Sequence, residues 1–468
     1  MKKKFTVLLV AVFVLAMTAM SFPKKANAVP DFAQKYHFSC AVCHTVFPNL
    51  NPFGRAFWRN GFRLPGTNGT PADSTQITEG ISLPNPWPIP IMIGATIGYQ
   101  HYTNENVNPQ TDAFQIEAAP IVAAGAFKVY TPFANSISFY VHFELGKGPG
   151  TPSYALGLDQ AVASINGLGS GFGIAPHLFN LKVGQVKTAS PYFYRQNPFG
   201  YSGSIGGGPA ANGQNLQIGY DGEAGNLIAA RNPGIALYGT PGYHLWYKVS
   251  VTNDVGGNTF NANNANASNA MEYSYELKEY APTTMGQLEF GYYGASIGEP
   301  MPAVTGYNAG WTNRVQVNGI DADLANNLYE IGLTYMQQND SQPYGPSGIT
   351  YNGSTQTSNG YSMFDVYGRY LLPQVGNGLM LMAEYATYSW THKDAQEAYN
   401  LTYGTSCSNA NLYGTGYLSN GCNTDGVKDD VLLQAEYNLS LNAHLFINYS
   451  FANNDQANTW GAGLDMAF

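Results

Sequence analysis

From Ile91 to its C terminus this chain repeatedly places apolar residues at every second position. Ile91, Ile93, Ala95, Ile97 and Tyr99 alternate with Met92, Gly94, Thr96, Gly98 and Gln100. The same period returns over 137–145, 245–251, 273–277, 329–335, 431–439 and 445–451. A strand sends successive side chains to opposite faces, so each of these segments has one apolar and one mainly polar face. No segment in this part of the chain approaches the roughly 20 apolar residues that a membrane helix needs. If it crosses a bilayer, it does so with strands.

The composition narrows the class. Charged residues are 11% of the chain and aromatics 14%, with 34 Tyr and 53 Gly. A soluble domain carries about 25% charged residues. A secreted β-sandwich array shares the alternation. Few charges, many tyrosines and an even spread of apolar residues favour a transmembrane β-barrel with a lipid-facing band and aromatic girdles. Long Asn/Gly/Ser segments near 200–215, 253–271, 299–326, 338–360 and 391–427 contrast with the tight turn at 439–442. Long loops on one rim and short turns on the other are the pattern of outer-membrane barrels, whose even strand counts make roughly 16 antiparallel strands the expectation. Trp460, Ala462, Leu464, Met466 and the terminal Phe468 alternate, like the C-terminal aromatic signal of bacterial outer-membrane barrels.

The N-terminal region reads differently. Lys2, Lys3 and Lys4 precede the apolar run 5–20, and Ala26-Asn27-Ala28 closes it. These are the three parts of a secretory signal peptide, assigned to residues 1–28. The chain has 21 Lys and Arg against 30 Asp and Glu. Five of those lysines lie in the signal, so the exported part is acidic and disfavours nucleic acid as a partner. Residues 29–86 form a small leader ahead of the barrel, assigned to 87–468. A Gly/Pro-rich linker, 66–90, joins the two.

The leader holds Cys40-Ala41-Val42-Cys43-His44. C-x-x-C-H is the attachment signature of c-type haem. Cys40 and Cys43 can each form a thioether to a porphyrin vinyl group, and His44 is placed to ligate the iron. A zinc site would need a second ligand pair nearby, and a redox dithiol would want a βαβ context. The remaining cysteines, Cys407 and Cys422, bracket a Ser/Asn/Gly-rich loop and read as a disulfide in an oxidising compartment. After the motif, Phe53, Phe57 and Trp58 share one side of a short helix that stops at Asn60-Gly61, and a run 30–36 before the motif is also helical in pattern. Arg55, Arg59 and Arg63 are spaced four apart. They could meet haem propionates, and a solvated basic face reads equally well. For the second axial position, Met92, His142 and His244 have inward parity, with Met92 ahead of His142; His37 is near in sequence, and a five-coordinate iron is the other outcome. Asp321-Ala322-Asp323 and Asp425, Asp429 and Asp430 read as loop acids. No nucleophile elbow, H-E-x-x-H, P-loop or EF-hand loop occurs.

Taken together, Phe32-Ala33, Cys40-Ala41-Val42-Cys43-His44, Pro48, Leu50, Phe53-Gly54-Arg55-Ala56-Phe57 and Gly61-Phe62 resemble the leader of fused cytochrome–porins, the outer-membrane iron oxidases of Fe(II)-oxidising bacteria. The order of signal, single haem motif and barrel is similar too. The resemblance implies an all-β barrel with an α-helical mono-haem c-type segment and one covalently attached haem c. It implies electron transfer from extracellular Fe(II), or another redox partner, to a periplasmic carrier such as a c-type cytochrome or a copper protein. The activity would be that of an Fe(II):cytochrome c oxidoreductase in the outer membrane, in contact with its lipid. Outward flow to an extracellular acceptor, and a solute porin with a haem-bearing plug, are the alternatives.

Overall fold

The alternating segments close on themselves. The computed structural model describes residues 38–46, 49–64, 75–78, 81–83, 91–102, 112–118, 120–129, 133–147, 154–187, 231–253, 271–301, 311–342, 347–351, 353–392, 428–440, 443–452 and 459–467, with positions 32, 36, 89 and 131. The signal peptide, Phe468, Cys407, Cys422 and Asp425 lie outside these residues.

Sixteen antiparallel strands make the barrel among the described residues. They are β1 (Ile91–Tyr102), β2 (Asp112–Ala118 with Pro120–Lys128), β3 (Ser136–Lys147), β4 (Tyr154–Asn166), β5 (Asn180–Lys187), β6 (Arg231–Gly239), β7 (Leu245–Asn253) and β8 (Met271–Thr283). There follow β9 (Gly286–Met301), β10 (Trp311–Ala325), β11 (Tyr329–Asp340), β12 (Asn359–Leu372), β13 (Leu379–Trp390), β14 (Lys428–Ser440), β15 (Ala443–Ala452) and β16 (Thr459–Ala467). The two parts of β2 are collinear, because both pair with β1: Ile97 with Ile116, then Ile93 with Ile121. Pro120, which has no N–H to give to a ladder, stands at the break. β16 returns to β1 with Leu464 opposite Ile97, so no sheet edge is left open.

The two faces of the wall divide as the alternation requires. On β11, Ile331 is 56% exposed and Leu333 42%, while Glu330 and Thr334 are fully buried. An outer face of Ile, Leu, Val and Tyr with an inner face of acids, amides and hydroxyls can be solvated only by lipid outside and by polar groups inside. This barrel is a protein of the outer membrane.

One barrel strand reads as a loop in the sequence. The stretch 299–326, read as a long loop, is instead the end of β9, a connection, and all of β10. On β10 the inward residues are Val315 and Val317, then Asp321 and Asp323, while Gln316 and Asn318, then Ile320, face out. The apolar parity switches halfway along, so no continuous period of two survives. Asp321 and Asp323 are therefore wall residues, not loop acids. The expectation for His244 also fails. It caps a short 3-10 turn at Pro241–Tyr243 on the short-turn rim and is exposed, one residue before β7 begins.

Candidate functional site

A short helix, α1 (Pro52–Arg59), organises the described part of the leader. Asn51 caps it: its Oδ1 accepts from the Gly54 N–H at 2.9 Å, and Pro52 occupies the first helical position, where no donor is needed. Asn51 also reaches backwards. Its Nδ2 donates to the carbonyls of Val42 (3.0 Å) and Ala41 (3.3 Å), and its backbone N–H donates to Cys43 O at 2.9 Å. The C-x-x-C-H segment is thus pinned to the start of α1 by one side chain. Cys40–Val42 forms a 3-10 turn closed by the Cys43 N–H on Cys40 O at 3.1 Å, and His44 pairs with Leu50 in a short hairpin. Gly54 lies flat under this turn; a Cβ there would overlap the Cys43 carbonyl.

Both thiols are free and partly buried. Burial pushes the Cys40 thiol up, and burial with the neighbouring Cys40 charge pushes Cys43 up to about 11. Neither ionises readily in this environment.

Two opposed faces of α1 divide the work. At about 3.6 residues per turn, Phe53 and Phe57 point away from Arg55 and Arg59. The phenyl rings of Phe53 and Phe57 are parallel, 6.5 Å apart, and Phe38 packs edge-on to Phe53 at 6.0 Å. Phe32 packs on Phe57 at 5.0 Å and stacks on Phe62 at 4.8 Å. Beyond Asn60 the chain turns through Gly61 and Phe62, both at positive φ. A Cβ on Gly61 would strike Asn166 and the Tyr238 hydroxyl on the wall. Phe62, a bulky residue in a left-handed conformation, is held by stacking between Phe32 and Tyr140 of β3, the latter at 6.3 Å.

The arginine face is docked on the barrel wall. Arg55 Nη1 donates to Asp323 of β10 at 2.7 Å, and its Nη2 donates to Glu330 of β11. Arg369 and the Tyr367 hydroxyl of β12 share the same Glu330 carboxylate. Arg59 makes a two-pronged pair with Glu289 of β9, at 2.7 and 3.0 Å. It also donates to the Tyr280 hydroxyl and lies 5.5 Å from the Trp246 ring. Arg63 meets neutral acceptors: Asn180 Oδ1 at 2.8 Å, Pro176 O at 3.1 Å and Asn60 O at 2.8 Å. Burial alone would push the Arg55 guanidinium down, but Asp323 and Glu330 hold it well above its ordinary value; Arg63, without a carboxylate, is pushed down by burial. The expected solvated basic face does not exist. Arg55 and Arg59 are 1% and 5% exposed, and their forks are taken by wall carboxylates rather than left for another anion.

These partners stand within a few residues of the short turns after β8 and β10, so α1 lies inside the short-turn mouth of the barrel. Thr45 completes the contact, accepting from Arg369 at 3.4 Å next to His44. The docking carboxylates were missed in the sequence. An arginine stripe opposite a phenylalanine stripe, ahead of a barrel with inward acids, was the available signal.

The other candidates fall on the opposite side. Met92 pairs with Val122, Val122 with His142, and His142 with Gln160, so Met92 and His142 share one lumen-facing row across β1–β4. His142 is 3% exposed and Met92 half-buried. The His142 ring lies 6.4 Å from Tyr140, which carries Phe62. Asp321 is bound by Lys278 Nζ at 2.5 Å. Asp429 and Asp430 lie in β14 rather than a loop.

No protein-family model and no curated protein matches the chain. Among solved structures, an anion-selective porin from Comamonas acidovorans shares the fold, with a TM-score of 0.53 at 10% identity over 81% of this chain and 99% of that one. The DcaP outer-membrane channel of Acinetobacter baumannii matches with a TM-score of 0.49 at 10% identity, over 81% of this chain and 97% of that one. OmpF of Salmonella typhi, solved with daunomycin, matches at 0.49 and 11% identity, over 85% and 100%. The chain is a porin-like barrel.

Proposed function

We propose that this protein is an outer-membrane cytochrome–porin that carries electrons across the outer membrane, from extracellular Fe(II) to a periplasmic carrier. The observation that carries the reading is the C-x-x-C-H turn, pinned by Asn51 and Gly54 to a helix that three arginines fasten inside the barrel. A detachable soluble domain has no need of buried ion pairs to its neighbour's inner wall.

The residues fit a covalently attached haem c. Cys40 and Cys43 stand three apart on one turn, and His44 follows directly. Partly exposed Phe53, backed by the parallel ring of buried Phe57, offers an apolar surface beside them. When bound, the haem supplies a one-electron couple. The chain's own part is to hold and shield it. Asn51 orients the attachment turn, the Phe face excludes water, and the arginine face fixes the depth of the whole assembly in the mouth. An outer-sphere electron transfer asks for no acid–base residues. The direction of flow and Fe(II) as donor rest on the resemblance of the leader to iron-oxidising cytochrome–porins.

A second reading is a solute channel whose leader is a haem-bearing plug, favoured by the porin-like barrel. Stopped-flow mixing of the purified, haem-loaded protein with Fe(II) tests the first, with reduction of the haem bands as the expected result. Absence of reduction over minutes removes Fe(II) as the donor. In planar bilayers a sealed conduit gives negligible current, and a large steady conductance favours the channel.

A further inference from the structure

We propose that His142 is the second axial ligand, facing His44 across the haem iron; this rests on the reading of the chain as haem-bearing. The argument begins with which way α1 faces. Its arginine side is closed off by β9–β12, so a planar group attached at Cys40 and Cys43 lies toward partly exposed Phe53, away from that wall. Phe62 carries this aromatic side across to β3, where it stacks on Tyr140. Two residues further along the same face of β3, against Tyr140, stands His142. The side chain is almost wholly buried in the lumen wall, where a neutral imidazole nitrogen is a ready ligand for haem iron.

The other described histidines stand elsewhere. His44 belongs to the attachment motif. His101 lies on β1, paired with Trp460 of β16 and two strands from β3. His244 is exposed in the turn before β7, and His177 is taken up by stacking on Tyr243 at 4.2 Å. His392 lies past the end of β13. His444 sits at the foot of β15 between two carboxylates, 3.4 Å from Asp465 and 3.9 Å from Glu436. Met92, the rival from sequence, is on the right row but two strands from β3. Strands are about 4.8 Å apart, so Met92 and His142 are separated by roughly 10 Å, and only one can stand over the iron. The one beside the ring contact with the leader is His142.

The test reads the iron, not the turnover. Haem c content of the full-length protein is measured first by the pyridine haemochrome. Near-infrared magnetic circular dichroism and EPR of the ferric wild-type protein should then give a low-spin, two-imidazole signature. His142→Gly should lose that signature and become high-spin, and added free imidazole should restore it. Met92→Leu should leave the spectrum unchanged. A thioether or high-spin signature in the wild type overturns the assignment even if the variant does not fold, and so does a His142→Gly protein with the wild-type spectrum. Wild type without covalent haem overturns the haem-bearing reading and this inference with it. Covalent haem with the wrong axial signature overturns the inference alone.

Discussion

The wall from β8 to β12 and the wall from β1 to β4 enclose the same lumen with opposite chemistry. The first presents Glu289, Asp323 and Glu330 and uses them to hold Arg55 and Arg59, with Arg369 on the same Glu330. The second presents Met92, Val122, His142 and Gln160 in one row, with no formal charge among them. The leader matches both, with arginines on one side of α1 and phenylalanines on the other. A buried ion pair is costly to desolvate, so it is weak evidence of extra stability; what it does well is fix one arrangement. The charged wall fixes position, and the row from Met92 to Gln160 carries none of the groups that do so.

The comparison can be broken at four points. The largest effect belongs to the attachment turn. With Cys40→Ser and Cys43→Ser together, covalent haem should fall from full occupancy to none on a haem-stained denaturing gel. Retained stain would mean that the turn is not the attachment site. Next comes the charged wall. Arg55→Met leaves Asp323 buried without its cation, while Glu330 keeps Arg369, and should cost about 3–5 kcal/mol. Urea unfolding of the detergent-solubilised protein reads this, and adding Asp323→Asn should recover part of it. An unchanged midpoint would show that the dock is dispensable. At the contact between turn and helix, Gly54→Ala drives a methyl group into the Cys43 carbonyl and should cost about 1–3 kcal/mol. Its partner Asn51→Ala, which loses the cap and the hold on Val42, should cost about 1 kcal/mol.

The smallest effect is one of pH. In the packed turn the Cys43 thiol is pushed from its ordinary 9.0 up to about 11, so the unfolded chain gives up this proton first as pH rises. The stability of the protein with both thiols free should therefore hold below pH 9 and decline between 9 and 11. Alkylation of Cys43 by iodoacetamide should accelerate over the same window. A thiol already fully reactive at pH 8 would place it outside the packed turn.

Local patterns were the legible part of the sequence. Cys40 to His44, the helix ending at Asn60-Gly61, and the strands beginning at Ile91, Leu245 and Tyr329 each carry their own signal within a dozen residues. What was hidden depends on partners far apart. Arg55 finds Asp323, 268 positions away, and nothing near Arg55 distinguishes a docked guanidinium from a solvated one. β10 was missed because its inward face changes from valine to aspartate midway, exactly where it passes from plain wall to dock. His244 followed the alternation of β7 one residue too far, into a turn where strand parity no longer holds.

The arginines also tie together strands that are not neighbours. Arg55 and Arg59 lie on α1, and Arg63 follows the turn at Gly61 and Phe62. Their partners reach from β11 to β5, six strand spacings apart, which is about 29 Å measured around the wall. Ladder hydrogen bonds join each strand only to the next. The leader therefore works as a cross-brace over the mouth of the ring.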